Sequence, residues 1–299
     1  LVPVLVDCEL GTYNLDPEQL AAAYSDRTRA MFVPHTLGNP ADMIRIMDFA
    51  RQHNLYVIED ACDALGSKLA GQYVGTFGHL ATLSFYPAHH ITTGEGGAVC
   101  TNDEALGCGA QSVRDWGRAA TNDQSRLAAL SDDELLFDPQ YRYVEIGYNL
   151  KMTEMQAAIG LAQLPKLAEF NRLRQQRFEW LYDHLRHYEE ALLLPQWLPT
   201  AEPAWFAFPI TVRPEAGFTR GQLVRHLEAH RIETRFLFAG NILNQPGYAH
   251  IQHRAIDDLP NAAAVSRQTF FIGVYPGLTE AHIGYMLETF DQFFEALKR

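Results

Sequence analysis

Two side chains stand where a proton could be held or moved. His89 closes the run Ser84-Phe85-Tyr86-Pro87-Ala88 and is followed by His90 and the glycine-rich turn Gly94-Glu95-Gly96-Gly97. Imidazole changes charge near neutral pH, so a histidine ending an aromatic-rich run suits general acid–base work. Taken alone, a strand-end histidine is more often a satisfied structural group. Asp60 ends a second apolar run, Leu55-Tyr56-Val57-Ile58-Glu59. On local grounds a strand-end aspartate caps the helix that follows, or else its carboxylate pairs with a protonated group. The tandem His89-His90 raises metal ligation, but no Cys, Asp or Glu stands at a matching ligand spacing.

The elements that position these residues follow from the hydrophobic pattern. Short apolar runs at 2–6, 30–33, 55–58 and 81–85 predict strands. Between them the pattern is helical: Asp16 is an N-cap followed by Pro17 at the first helical position, and 40–53 carries apolar residues at helical spacing. This alternation predicts an α/β fold with a mostly parallel sheet, in which ligands bind beyond the carboxyl ends of strands. Asp60 and the 86–89 segment both fall at such ends. Residues 151–190 are almost free of glycine, with Pro165 the one break, and predict long helices. After 195–199 the composition changes, with strands expected at 206–212, 234–238 and 270–274 between helices 219–230 and 279–297. The division is therefore a large domain over 1–165, then linking helices and a smaller α/β domain over 166–299.

Composition narrows the partners. At 299 residues and 47% hydrophobic the chain can bury a large core. A formal charge of −12 with no basic cluster excludes a nucleic-acid backbone as the expected partner and leaves a small molecule. Cys8, Cys62, Cys100 and Cys108 form no C-x-x-C pair, which predicts reduced thiols and a cytoplasmic protein. The opening Leu1-Val2-Pro3-Val4-Leu5-Val6 lacks a basic flank and runs into Asp7, so it reads as a strand and not as a signal peptide or membrane span.

Several segments together resemble the DegT/DnrJ/EryC1/StrS sugar aminotransferases, within them the 3-dehydrase branch. These are Glu59-Asp60-Ala61-Cys62-Asp63-Ala64-Leu65-Gly66, the Ser84 to Gly97 stretch, Gly147-Tyr148-Asn149, Pro34-His35-Thr36-Leu37-Gly38-Asn39-Pro40, Arg114-Asp115-Trp116-Gly117-Arg118 and Phe238-Ala239-Gly240-Asn241. The resemblance implies fold type I of the pyridoxal phosphate (PLP) transferases. It places His89 where an aminotransferase keeps the lysine that binds the cofactor covalently. Imidazole forms no such bond, which implies loosely held pyridoxamine phosphate (PMP) and a histidine free to move protons. By the same resemblance Asp60 pairs with the ring nitrogen and Asp63 belongs to the cofactor site. Ser84 contacts the phosphate, Asn149 reaches the phosphate of a neighbouring subunit in a homodimer, and Tyr86, His35, Asn39 and Asn241 line the substrate side. For Asn149 the local alternative is a cap on the helix starting near Thr153.

The implied reaction is loss of the C3 hydroxyl from a nucleotide-linked 4-keto-6-deoxyhexose, with glutamate as amino donor, in deoxysugar or lipopolysaccharide synthesis. Two departures qualify it. Some dehydrases carry a [2Fe-2S] cluster on four cysteines; here Cys62 fits one position, but the others fall on Ala120, Asn122 and Leu130, so no cluster is expected. The family also has a longer front part with a phosphate-binding turn at a helix N-terminus, and the chain is expected to begin after it. The alternatives are a PLP-dependent sugar aminotransferase of the same fold, which His89 opposes, and a catalytically silent partner that binds nucleotide-sugar or dimerises.

Overall fold

A computed structural model of the chain describes residues 1–119 and 141–298. Its first sheet has four strands in sequence order: β1 (Ala30–Pro34), β2 (Tyr56–Asp60), β3 (Leu80–Ser84) and β4 (Gly97–Cys100). The first three run parallel and β4 returns antiparallel to β3. Residues 97–100, which the pattern does not single out as a strand, close this edge because the glycine turn folds the chain back onto β3. The register sets Asp60 level with Thr82, and Ser84 level with Gly97.

Helix α1 (Met43–His53) joins β1 to β2. Asp42 caps its start by accepting from Arg45 N, and Asn54 ends it in the left-handed region. Met43, Ile46 and Ala50 fall on one face and pack against Val33 and Val57 of the sheet. Each large apolar side chain buried there contributes roughly 1.5–3 kcal/mol. Alternation along the strands sends Phe32, Tyr56 and Val99 to the other face, where all three are exposed.

After α2 (Glu104–Arg114), Thr153 opens α3 (Glu154–Gln163) with a capping box. Pro165 interrupts this run as a short turn before α4 (Leu167–Leu185). A second, antiparallel sheet follows: β5 (Leu192–Leu193), β6 (Ala207–Val212), β7 (Thr234–Phe236) and β8 (Thr269–Gly273), in the order β7-β8-β6-β5. Every residue of β6 is buried. Helices α5 (Arg220–Ala229), α6 (Pro260–Gln268) and α7 (Glu280–Leu297) complete this unit; α5 and α7 start at capping-box threonines. Phe178 of α4 stacks on Trp205 at 4.0 Å between centroids in a core shared with Phe208, Phe270 and Phe290.

The strand expected over 2–6 is shorter, Val4–Leu5, and pairs in parallel with Arg254–Ala255 of the second unit. The segment 204–206 ties the two sheets together. Ser67 Oγ donates to Gly38 O and accepts from Ala204 N, and Phe206 N donates to Leu37 O. Gly38, at φ +89°, sits so close that a Cβ would lie 2.1 Å from Ala204 O.

Candidate functional site

Asp60 is the last residue of β2. Its Oδ1 accepts from Cys62 N at 3.1 Å and from Thr82 Oγ1 at 3.4 Å, so it organises the turn over 60–62. The expected alternative, a helix cap, does not apply because no helix follows. Oδ2 has no hydrogen bond among the described residues. Ser84, at the end of the neighbouring strand, accepts from Tyr86 N through Oγ at 3.3 Å. Strand alternation turns Thr82 and Ser84 to the same side as Asp60, away from Ala81 and Leu83.

His89 lies in the turn beyond β3, where its N–H bonds Tyr86 O. Its ring packs against Phe206, with centroids 5.4 Å apart, and Tyr86 stands edge-on at 6.4 Å. Nδ1 is 3.2 Å from Asp63 Oδ1, with the two side chains only 16% and 14% exposed. The approach is close, but off the line of a hydrogen bond, and Nδ1 is left without a partner. Loop 85–96 is held from within: Phe85 N donates to Gly96 O, while Thr93 N and Thr92 Oγ1 donate to Phe85 O. Gly96 adopts φ +148° there.

His90 does something different. Its ring is buried and Nε2 donates to Ala204 O at 2.8 Å. Burial, then the charge of Arg174, push its pKa down to about 3, so the ring is neutral. The tandem thus divides into an outer histidine facing the strand ends and an inner one that fastens the 204–206 segment. Among the described residues no group of three metal-ligating side chains forms.

Arg174 of α4 is the residue that the sequence reading missed. Its guanidinium is buried, donates to Phe206 O at 2.9 Å and lies near enough to Asp63 for the carboxylate to favour its charge. Burial nevertheless draws its pKa down to about 10. The signal that marks it is spacing: Arg174 falls on the same helical stripe as Phe178, Leu181 and Leu185, an apolar face that would otherwise exclude a cation.

Three residues expected to line the substrate side also make hydrogen bonds within the framework, while the Oδ1 of Asn39 is buried with no partner among the described residues. His35 is fully buried; Nε2 donates to Glu59 Oε2 at 3.0 Å and Nδ1 accepts from Ala41 N at 3.1 Å. Burial alone would raise the Glu59 carboxyl, but His35 and the N–H groups of Gly78 and Gly75 outweigh it and hold the pKa below its usual range. Asn39 is buried and donates to Thr12 O and Gln196 O. Asn241 caps a short turn by accepting from Leu243 N. Tyr86 and Asn149 are exposed; Asn149 pairs with Asp115 in an isolated bridge, and the helix cap is Thr153. Burial raises the Cys62 thiol to about 12, and positions 120, 122 and 130 lie outside the described residues. One cavity, of about 780 Å³, is lined by Leu65, Ala81, Leu83, Asn171 and Trp197. It opens on the sheet face opposite Thr82 and Ser84 and is not the His89 site.

The comparisons agree with one another. The model of the DegT/DnrJ/EryC1/StrS aminotransferase family matches residues 1–291. The lipopolysaccharide biosynthesis protein RfbH of Salmonella typhimurium is 43% identical over 98% of this chain and 69% of its own length. The dTDP-4-dehydro-2,6-dideoxy-D-glucose 3-dehydratase of Saccharopolyspora spinosa is also 43% identical over 98% of this chain, which spans 65% of that enzyme. A solved GDP-4-keto-6-deoxymannose-3-dehydratase with a trapped PLP-glutamate geminal diamine superposes with a TM-score of 0.85 at 28% identity, over 96% of this chain and 74% of that one. The chain belongs to the DegT/DnrJ/EryC1/StrS aminotransferase family and has the fold type I architecture of PLP-dependent enzymes.

Proposed function

We propose that the chain is a PMP-dependent 3-dehydratase acting on a nucleotide-linked 4-keto-6-deoxyhexose. The observation that carries it is position 89, where an imidazole stands at the strand ends beside Asp63 and one strand from Asp60. The donor set fits the cofactor: a carboxylate with a free oxygen at Asp60, a hydroxyl at Ser84, and a base that has no amine to compete for the aldehyde. When bound, PMP supplies an amine for the C4 ketone of the sugar and a ring that accepts electrons.

The remaining roles belong to the chain. Asp60 Oδ2 holds a proton on the ring nitrogen, Ser84 Oγ donates toward the phosphate, and Asn149 completes phosphate binding from a neighbouring subunit. His89 Nε2 takes the proton at the reacting centre and returns it to the departing C3 hydroxyl. Tyr86, half-exposed beside the ring, faces the sugar. Glutamate as the amino donor is supported by the solved relative's bound species. A homodimer is supported by exposed Ile146, Tyr148, Leu150 and Leu161, an apolar surface around Asn149 and along α3. A boundary at 165/166 is supported by Pro165 and by an apolar core lying wholly after it, while a smaller cluster joins Tyr13 and Leu37 to Ala207, Leu237 and Val265 across it. No helix among the described residues is long and apolar enough to cross a membrane, and a cytoplasmic place fits the sugar-nucleotide substrate.

The test is spectroscopic. PLP with glutamate is expected to convert to the PMP spectrum, and a 4-keto-6-deoxyhexose nucleotide to reverse it with loss of the C3 hydroxyl. An unchanged spectrum would favour the silent partner, and an amino sugar product the aminotransferase.

A further inference from the structure

We infer that Asp63 is a positioning residue that fixes the tautomer of His89, with the proton on Nδ1 and the lone pair on Nε2. The inference rests on the reading of His89 as the base, since only that role makes the choice of nitrogen matter. Imidazole carries one proton in its neutral form, and only the bare nitrogen accepts another. Nothing in the backbone of the 86–92 turn makes that choice: His89 N is spent on Tyr86 O, and the ring faces are covered by Phe206 and Tyr86, which offer no acceptor to Nδ1. Among the described residues the acceptor within reach is Asp63 Oδ1, at 3.2 Å.

Their alignment is imperfect, as catalytic contacts often are before substrate binds. The buried guanidinium of Arg174 on α4 sets a positive charge near the Asp63 carboxylate. His90, the other titratable ring beside His89, is neutral and bonded to Ala204 O, so it neither competes for Asp63 nor donates to His89. The Asp63 carboxylate thus stands beside His89 and within the electrostatic reach of the buried Arg174. The carboxylate sets the proton, and the charge of the arginine favours the carboxylate.

Nitrogen-15 NMR of the histidine-labelled protein without cofactor tests this, because the two ring nitrogens of a neutral imidazole resonate far apart according to which bears hydrogen. His89 is identified by the signal lost in His89→Gln. In mildly alkaline buffer the wild type is expected to show His89 protonated on Nδ1, and Asp63→Ala to invert the two shifts so that Nε2–H becomes the majority form. His35 and His90 act as internal standards, since both donate from Nε2 within the framework and should stay unchanged if the variant is folded. Should the alanine variant not fold, Asp63→Leu keeps the shape without an acceptor and carries the same expectation. A wild-type His89 protonated on Nε2, or a folded variant with unchanged shifts, would overturn the inference. No sugar turnover enters this measurement, so failure of the dehydratase reading leaves its outcome intact.

Discussion

A buried histidine that stays neutral makes the protein sensitive to acid in a way that can be assigned to one ring. The folded pKa of His90, about 3, lies below its unfolded value of 6.5. Between those values the unfolded chain binds a proton that the folded one refuses, so stability falls as pH drops from about 6.5 toward 3 and levels below. The full effect is on the order of 5 kcal/mol. Glu59, whose carboxylate is favoured by its hydrogen bonds in the fold, adds loss of the same sign at acid pH. His90→Gln keeps a donor for Ala204 O but does not titrate. Its urea midpoint should therefore depend less on pH than the wild type's across this window, and a variant keeping the wild-type slope would assign the acid sensitivity elsewhere. This division of labour could not be read from the sequence, where His89 and His90 are the same residue type in succession. Strand-end placement made Asp60 and His89 legible as a pair. The burial of His35 and Asn39 was hidden, because their partners Ala41, Glu59 and Gln196 come from turns and segments that no local pattern links to them.

At the scale of elements, periodicity was the reliable guide wherever a helix buries one face. Helices α3 and α4 and the break at Pro165 stand where the pattern predicts them, since a glycine-poor amphipathic run leaves the backbone few alternatives. Strand β4 escaped because two of its four residues, Gly97 and Ala98, carry almost no side chain to read. The stripe on α4 makes a quantitative prediction. Phe178 is fully buried, stacks on Trp205 and lies four residues from Arg174 on the same face. Phe178→Ala should lower unfolding stability by about 3–5 kcal/mol, read from denaturant midpoints, because the helix cannot close the gap without withdrawing Arg174 from Phe206 O. A loss below about 1 kcal/mol would mean that α4 is free to collapse inward.

For the whole molecule, the surface around Asn149 sets the expectation. Ile146 is 95% exposed, Met155 77% and Leu161 73%, an unusual density of bare apolar side chains for a monomer. In the proposed homodimer each Asn149 reaches the strand ends of its partner. The active site would then be built from two chains, with Asp60, Ser84 and His89 from one and Asn149 from the other. Sedimentation should find a dimer that Leu161→Glu weakens, since a carboxylate buried in an apolar interface has no partner there. The sharing itself is tested by mixing. His89→Gln and Asn149→Ala should each be inactive alone, yet mixing the two after dissociation should restore activity, because random pairing leaves roughly one site in four with both native residues. Recovery is the outcome expected of a shared site. Two inactive variants that stay inactive when mixed, while sedimentation shows that they exchange subunits, would place Asn149 and His89 in the same chain's site.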